Sequence, residues 1–153
     1  MGKQYTFDEL LRKSASYCSK SEHCISEVIT KLNRWEANET DSKKIIKKLV
    51  DDDFINEKRY AEAFVRDKFR FNKWGKIKIM MALRRKEVEN DLIADALEQI
   101  DEEEYREILV ALLKSKQKSI KYKSEYEKEG KLFRFAQGRG FESDLIEQVL
   151  RSI

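Results

Sequence analysis

The sequence contains no proline and only five glycines in 153 residues, whereas soluble domains carry about 5% proline on average. The turns of β-sandwiches and β-barrels depend on these two residues, so their scarcity argues against an all-β architecture. Charged residues make up 40% of the chain and hydrophobic residues 41%. This balance is typical of amphipathic helices, which bury one face and expose the other.

Long hydrophobic runs are missing as well. No stretch approaches the roughly 18 consecutive apolar residues of a membrane-spanning helix, and residues 1–6 lead straight into charged positions without the apolar core of a signal peptide. Cys18 and Cys24 are too few for a disulfide scaffold, which favours a reducing compartment. We therefore expect a cytoplasmic protein with no membrane partner.

The groups used by most enzymes and metal sites are also scarce. The chain has one histidine, His23, and its neighbours Cys18 and Cys24 lack a nearby fourth ligand for a metal ion. The sequence shows neither a nucleophile paired with a base nor a Gly-rich phosphate loop. It predicts a protein that is not an enzyme and that holds no metal or cofactor.

Apolar residues recur at helical spacing along the chain. Thr6 and Glu9 form the capping-box pattern that starts a helix at Phe7. Eight further helices follow, and Asn90 is the predicted cap of the sixth helix of the chain. Apolar positions of the middle helices map onto those of the last helices with one constant offset: Ile79, Leu83, Val88, Ile93 and Leu97 onto Leu132, Ala136, Phe141, Ile146 and Leu150. The first helices show the same order, with a slightly longer loop after the second helix, where residues 38–42 are all polar.

The helices therefore fall into three units of three. The sequence predicts an all-α fold in which three tandem three-helix repeats, residues 1–52, 53–100 and 101–153, form an elongated, curved array. Such an array offers a large surface to one partner, and we expect a monomer.

Charge is segregated along this array. Residues 66–86 hold nine basic side chains against the single acid Asp67, and residues 87–107 hold ten acids against the single base Arg106. Separate positive and negative surfaces steer a protein toward a charged partner. The candidate residues for binding a partner protein or DNA are the cations of the basic block with their neighbours: Arg59, Arg66, Lys68, Arg70, Lys73, Trp74, Lys76, Lys78, Arg84, Arg85, Lys86 and Arg139.

Two segments carry a family resemblance. Residues 49–61 contain leucine, a short turn, an apolar pair, then Asn56, Glu57, Arg59, an aromatic residue and alanine. Residues 74–88 begin with Trp74 and Gly75, continue through a basic pair near isoleucine, and end on a basic residue and Val88. The chain resembles the RecX regulatory proteins over nearly its whole length. Asp53 and Glu87 occupy positions where that family often has glycine. Cys24 occupies a position where serine or threonine often caps the second helix, which leaves the start of this helix open between residues 21 and 24.

The resemblance implies a specific function. Proteins similar to this one bind the RecA recombinase filament, lie in its helical groove, and inhibit its recombination, ATPase and coprotease activities. The residues alone leave two other functions open, a sequence-nonspecific nucleic-acid binder and a helical adaptor for another protein. They also leave two roles open for Arg59, contact with a partner or pairing with residues 51–53, and two for Trp74, contact with a base or partner pocket or a staple between helices.

Overall fold

The computed structural model describes residues 4–153, and within them the chain forms nine α-helices and no β-strand. None of these helices is long and apolar enough to cross a membrane. The helices are α1 (Phe7–Lys20), α2 (Ile25–Arg34), α3 (Glu39–Asp51), α4 (Glu57–Arg70), α5 (Lys76–Arg85), α6 (Asn90–Glu98), α7 (Glu102–Ser119), α8 (Glu125–Gly138) and α9 (Ser143–Ser152).

Side-chain caps fix most helix starts where the sequence predicts them. The capping box at Thr6 is confirmed, with Thr6 Oγ1 accepting from the Glu9 N–H and the Glu9 carboxylate accepting from the Thr6 N–H. Helix α2 begins at Ile25, which makes Cys24 its N-cap. The predicted cap at Asn90 is wrong, because Glu89 occupies the N-cap position of α6 and Asn90 instead accepts a hydrogen bond from Arg84.

The helices pack in threes, α1 with α2 and α3, α4 with α5 and α6, and α7 with α8 and α9. We call these groups repeats 1, 2 and 3; the division at residues 52 and 100 stays a prediction. Each repeat has a left-handed residue after its second helix, where two amides return to carbonyls of the last helical turn. These residues are Glu36, Glu87 and Gly140.

The turn between the second and third helices has the same length in all three repeats. The N-caps Asn38, Glu89 and Glu142 each lie two residues after the left-handed residue. The longer loop predicted for repeat 1 is therefore wrong. The polar residues 39–42 that suggested a loop form the first turn of α3, because the Asn38 side chain caps it by accepting from the Asp41 N–H.

The apolar residues form two cores. Repeats 2 and 3 share one core, in which the ring of Tyr105 packs against Phe141 with centroids 5.0 Å apart and against Phe69 at 5.8 Å. Repeat 1 has a core of its own around Leu32 and Ile45. Each fully buried side chain of this size contributes about 1.5–3 kcal/mol.

The accessible surface of the chain has the size expected of an elongated array. It amounts to 9960 Å², against about 8,100 Å² for a compact monomer of the same mass. The repeats therefore meet through limited joints, which lie between repeats 1 and 2 and between repeats 2 and 3.

Candidate partner-binding grooves at the repeat joints

Backbone meets backbone at the joint between repeats 2 and 3. The Gly75 N–H donates to the Arg139 carbonyl at 2.7 Å, and the Ile77 N–H donates to the Gly140 carbonyl at 3.0 Å. A Cβ on Gly75 would lie 2.3 Å from the Gly140 carbonyl carbon, and Gly140 itself has a φ of +98°. Glycine is therefore required at both positions, at Gly75 for close approach and at Gly140 for its conformation as well.

The joint between repeats 1 and 2 uses equivalent positions but different groups. Ser26 Oγ donates to the Lys86 carbonyl at 2.7 Å, and Cys24 Sγ lies 3.8 Å from the same oxygen. Lys86 Nζ pairs with Glu27 at 3.2 Å. Cys24 occupies the position of Gly75, and its side chain keeps the two backbones apart. Side chains therefore make the contacts that backbone amides make in the second joint.

The pKa values of two carboxylates at the first joint are shifted in opposite directions. Burial raises the pKa of Glu57 above its ordinary value, and the like charges of Glu89 and Glu87 add to this, although Glu57 accepts the Ile25 N–H at 3.1 Å. Burial also acts to raise the pKa of Glu27, but hydrogen bonds from His23, Lys86 and the Cys24 amide outweigh it and lower that pKa. Glu27 therefore stays ionised as a firm partner for Lys86.

A groove of about 250 Å³ opens at the second joint, beside α5. Its most exposed apolar side chains are Ile77, at 40%, and Met81, at 46%. The Nζ atoms of Lys68 and Lys78 lie 4.9 Å and 4.6 Å from the centroid of the Trp74 ring. We call this the α5 groove, and it is lined by Trp74, Ile77, Lys78, Met81, Ala82, Arg85, Gln137, Gly138 and Gly140.

Other predicted cations are engaged within the protein. The Arg59 guanidinium donates to Glu22 at 2.6 Å and to Asp53 at 2.7 Å, which ties repeat 2 to repeat 1. Lys76 is only 19% exposed and pairs with Glu102 at 2.5 Å. Structural contacts therefore occupy both side chains, and for Arg59 the structure supports the pairing interpretation that the sequence left open.

Arg139 serves the second joint in the same way. Its carbonyl accepts from Gly75, its Nη1 donates to the Asn72 carbonyl at 3.1 Å, and its guanidinium lies 5.6 Å from the Phe135 ring. Its buried Nε has no hydrogen-bond partner within residues 4–153. Arg139 is thus part of the joint rather than of the open groove surface.

The remaining predicted cations lie apart from the α5 groove or at its edge. Arg66 and Arg70 line a separate groove of about 200 Å³ with the acids Glu62, Asp101 and Glu104, and Arg70 Nε lies 3.8 Å from Glu104.

At the edge, Lys73 adopts a positive φ and its Nζ donates to the Arg70 carbonyl at 2.5 Å, while Arg84 donates to Asn90 at 3.3 Å. Only Lys68, Trp74, Lys78 and Arg85 of the predicted set meet around the α5 groove.

Sequence reasoning missed two cations, Lys31 and Arg34. Both line a third groove, of about 340 Å³, at the first joint, together with Arg85 and Lys86 of repeat 2. The repeat alignment carried the signal, since Arg34 precedes its left-handed turn residue by two positions, as Arg85 does. Within residues 4–153 no group of three or more histidine, cysteine and acidic side chains is placed to hold a metal ion.

Comparison with known proteins identifies the architecture. Models of the second and third three-helix domains of RecX match residues 56–97 and 102–150. The crystal structure of RecX from Lactobacillus salivarius is similar over 95% of both chains, with a TM-score of 0.86 and 26% identity.

Curated relatives point to the same family. The chain is 30% identical to the regulatory protein RecX of Clostridium acetobutylicum over 145 residues, which cover 92% of this chain and 67% of the relative. It is 29% identical to that of Lactobacillus johnsonii over 140 residues, 92% of this chain but 52% of the relative. The chain thus spans about half the length of this relative and of one from Clostridium perfringens, where the share is also 52%. On these matches, the chain belongs to the RecX family of regulatory proteins.

Proposed function

We propose that this protein binds the RecA filament on single-stranded DNA, lies in its helical groove, and restrains the recombination, ATPase and coprotease activities of RecA. Membership of a family of regulatory proteins supports a role in binding a partner. In this proposal the protein acts by occupying a surface, as a cytoplasmic monomer without a cofactor, and it catalyses no reaction. Its presence would obstruct entry of a homologous duplex and growth of the filament.

The α5 groove is the observation that carries the proposal. It combines a tryptophan with two half-exposed apolar side chains and with cations on its rim. Tryptophan and arginine dominate the binding energy of protein interfaces when apolar neighbours exclude water around them. The cations complement both the phosphates of DNA and the carboxylates of a protein. A filament of protein on DNA offers both kinds of anion to one elongated ligand.

Titration of the RecA ATPase on single-stranded DNA tests this proposal. The wild-type protein should inhibit the ATPase. The double variant K78E/M81E, which changes the partly exposed Lys78 and the exposed Met81 of the α5 groove, should require at least tenfold more protein for half inhibition. The matched control is K114E/K118E on α7, where two exposed lysines have no ion pair within residues 4–153. Absence of both inhibition and filament binding by the wild-type protein would overturn the proposal.

A sequence-nonspecific nucleic-acid binder is the second candidate. Its supporting observation is the position of Arg85, which lines both the α5 groove and the groove at the first joint. Cations of repeats 1 and 2 therefore lie side by side. This candidate predicts tight binding to bare DNA that weakens steeply with salt. If the variant R84E/R85E/K86E binds DNA as the wild type does, the candidate loses its support. Recovery of a partner other than RecA in a pull-down would favour a helical adaptor instead.

A further inference from the structure

The groove at the first joint is built from two repeats. Repeat 1 contributes one residue of α1 and the exposed side of α2, and repeat 2 contributes the C-terminal end of α5. We call this the joint groove, and it is lined by Tyr17, Ser26, Glu27, Thr30, Lys31, Arg34, Arg85 and Lys86. Four of the lining residues are cations and one is an acid, so a ligand that fills the groove must carry negative charge.

Internal contacts already satisfy the other polar groups of the joint groove. The Glu27 carboxylate holds Lys86 at 3.2 Å and His23 at 3.1 Å. Ser26 Oγ donates to the Lys86 carbonyl, and Thr30 Oγ1 donates to the Ser26 carbonyl at 3.0 Å. Lys86 thus neutralises the single acid, Glu27, and both hydroxyl groups already donate their hydrogen to backbone carbonyls.

Two guanidinium groups remain available. Arg34 ends α2 and Arg85 ends α5, both are exposed, and within residues 4–153 neither forms an ion pair. They come from different repeats and face one groove. A guanidinium presents a fixed fork of N–H donors that matches the oxygens of a phosphate group. An oxyanion held by both arginines would therefore bridge the joint.

We propose that the joint groove binds a phosphodiester group of a nucleic-acid strand through Arg34 and Arg85, and that this binding holds repeats 1 and 2 together. The inference rests on the proposed function for the strand itself, which is part of the RecA filament. Arg85 also lines the α5 groove, so the two grooves lie on either side of this side chain. A row of cations across both grooves, with an aromatic ring at Trp74, matches a single strand, which carries a phosphate at every nucleotide and a flat base beside it.

The salt dependence of DNA binding tests the first half of the proposal. Fluorescence anisotropy of a labelled oligo-dT gives log K against log salt, and each phosphate contact adds about 0.7 to the slope for a single strand. Because both arginines contact one phosphate, the variant R34A/R85A should lower the slope by about 0.7. The control K114A/K118A removes the same charge from exposed positions on α7 and should leave the slope unchanged. Both variants should keep the wild-type thermal midpoint, since all four side chains lie on the surface.

Several outcomes would overturn this assignment. They are a wild-type protein that does not bind oligo-dT, an unchanged slope in R34A/R85A, and an equal fall in the control. Polyglutamate of matched charge serves as the carboxylate probe; if R34A/R85A weakens polyglutamate binding and leaves oligo-dT binding intact, the groove binds an acidic protein and the phosphodiester assignment is wrong. A matched duplex shows whether the strand must be single.

Cys24 reports whether a ligand holds the joint closed. Its side chain is fully buried and its Sγ faces the Lys86 carbonyl, so an alkylating reagent reaches it only when the joint opens. In a Cys18→Ala background, saturating oligo-dT should slow alkylation of Cys24 at least threefold, and R34A/R85A should abolish this protection. Equal rates with and without oligo-dT would refute the second half of the proposal.

The failure of this proposal is distinguishable from failure of the proposed function. A normal salt slope that depends on Arg34 and Arg85, in a protein that does not inhibit the RecA ATPase, would refute the filament role and keep the phosphodiester site. If R34A/R85A still inhibits RecA and its salt slope equals that of the wild type, the phosphodiester site is refuted and the filament role is kept.

Discussion

Replacing Gly75 with alanine breaks the backbone joint between repeats 2 and 3. The new Cβ would lie 2.3 Å from both the Gly140 carbonyl carbon and the Phe141 nitrogen, and 2.4 Å from the Gly140 oxygen. Ordinary contact for a Cβ begins near 3.4 Å. Because all of these neighbours are backbone atoms, no side chain can rotate away to make room, and the two repeats must separate by about 1 Å to restore such contact.

This separation determines the size of the effect. It would lengthen the hydrogen bond between Gly75 and Arg139 from 2.7 Å, and that between Ile77 and Gly140 from 3.0 Å, to distances at which no hydrogen bond forms. Each lost bond costs about 1 kcal/mol net, and overpacking of a tight contact costs about 1–3 kcal/mol more. We expect Gly75→Ala to lower the free energy of unfolding by about 3–5 kcal/mol.

Urea and thermal denaturation measure the loss, and a second glycine provides the control. A Cβ on Gly138 would meet no atom within 4 Å, so Gly138→Ala should leave stability unchanged or raise it by up to about 1 kcal/mol through helix propensity. For a chain of this length Gly75→Ala should lower the thermal midpoint by about 10 °C. A loss below about 1 kcal/mol, or the same result for both variants, would show that the two backbones do not meet as described.

Three further substitutions test single features of the fold. Glu87→Gly should raise the free energy of unfolding by about 0.5–1 kcal/mol, because Glu87 has a φ of +63° and glycine adopts the left-handed region without strain. The control Glu107→Gly, inside α7, should lower the free energy of unfolding by about 1 kcal/mol. A loss of stability in both variants would contradict the prediction. Glu57→Gln should raise the thermal midpoint at pH 7 and not at pH 4, since the raised pKa of Glu57 removes stability as pH rises through its native value; an advantage that persists at pH 4 would refute this. Arg59→Ala should lower the thermal midpoint at pH 7, and the difference should shrink as pH falls through the pKa of Asp53, which hydrogen bonds from Asn56 and Arg59 hold below its ordinary value.

Local chemistry explains why the helices could be predicted from the sequence. The reciprocal cap of Thr6 and Glu9, and the caps at Asn56 and Asp101, involve residues three apart in the chain. Apolar spacing then identifies the buried faces without any knowledge of tertiary contacts. The same local reasoning failed at α3, where four polar residues suggested a loop, although a capped first helical turn exposed to solvent accepts polar residues readily.

The joints could not be predicted in this way, because they bring together residues far apart in the chain. The sequence presents Gly75 and Gly140 as two turn residues. Only the fold shows that a side chain on Gly75 would clash with the backbone of Gly140, and that one on Gly140 would clash with Lys78. Arg34 lies outside the basic block, yet the repeat places it in one groove with Arg85. Lys76 lies inside the block and Arg59 was predicted as its neighbour, but carboxylates from neighbouring repeats pair with both side chains. The distribution of charge along the sequence therefore identifies the region of the candidate grooves more reliably than it identifies the individual cations that line them.

The two joints differ in stiffness because equivalent positions hold different groups. Repeats 2 and 3 share one apolar core, and their backbones are hydrogen-bonded directly. Repeat 1 has a second core and contributes only Cys24 to the core of repeats 2 and 3. Its other contacts with repeat 2 are mainly polar side chains of intermediate exposure, whose ion pairs contribute little when water reaches them. Opening the first joint therefore costs less free energy than opening the second. The orientation of repeat 1 is consequently the part of the array that an anion in the joint groove is best placed to control.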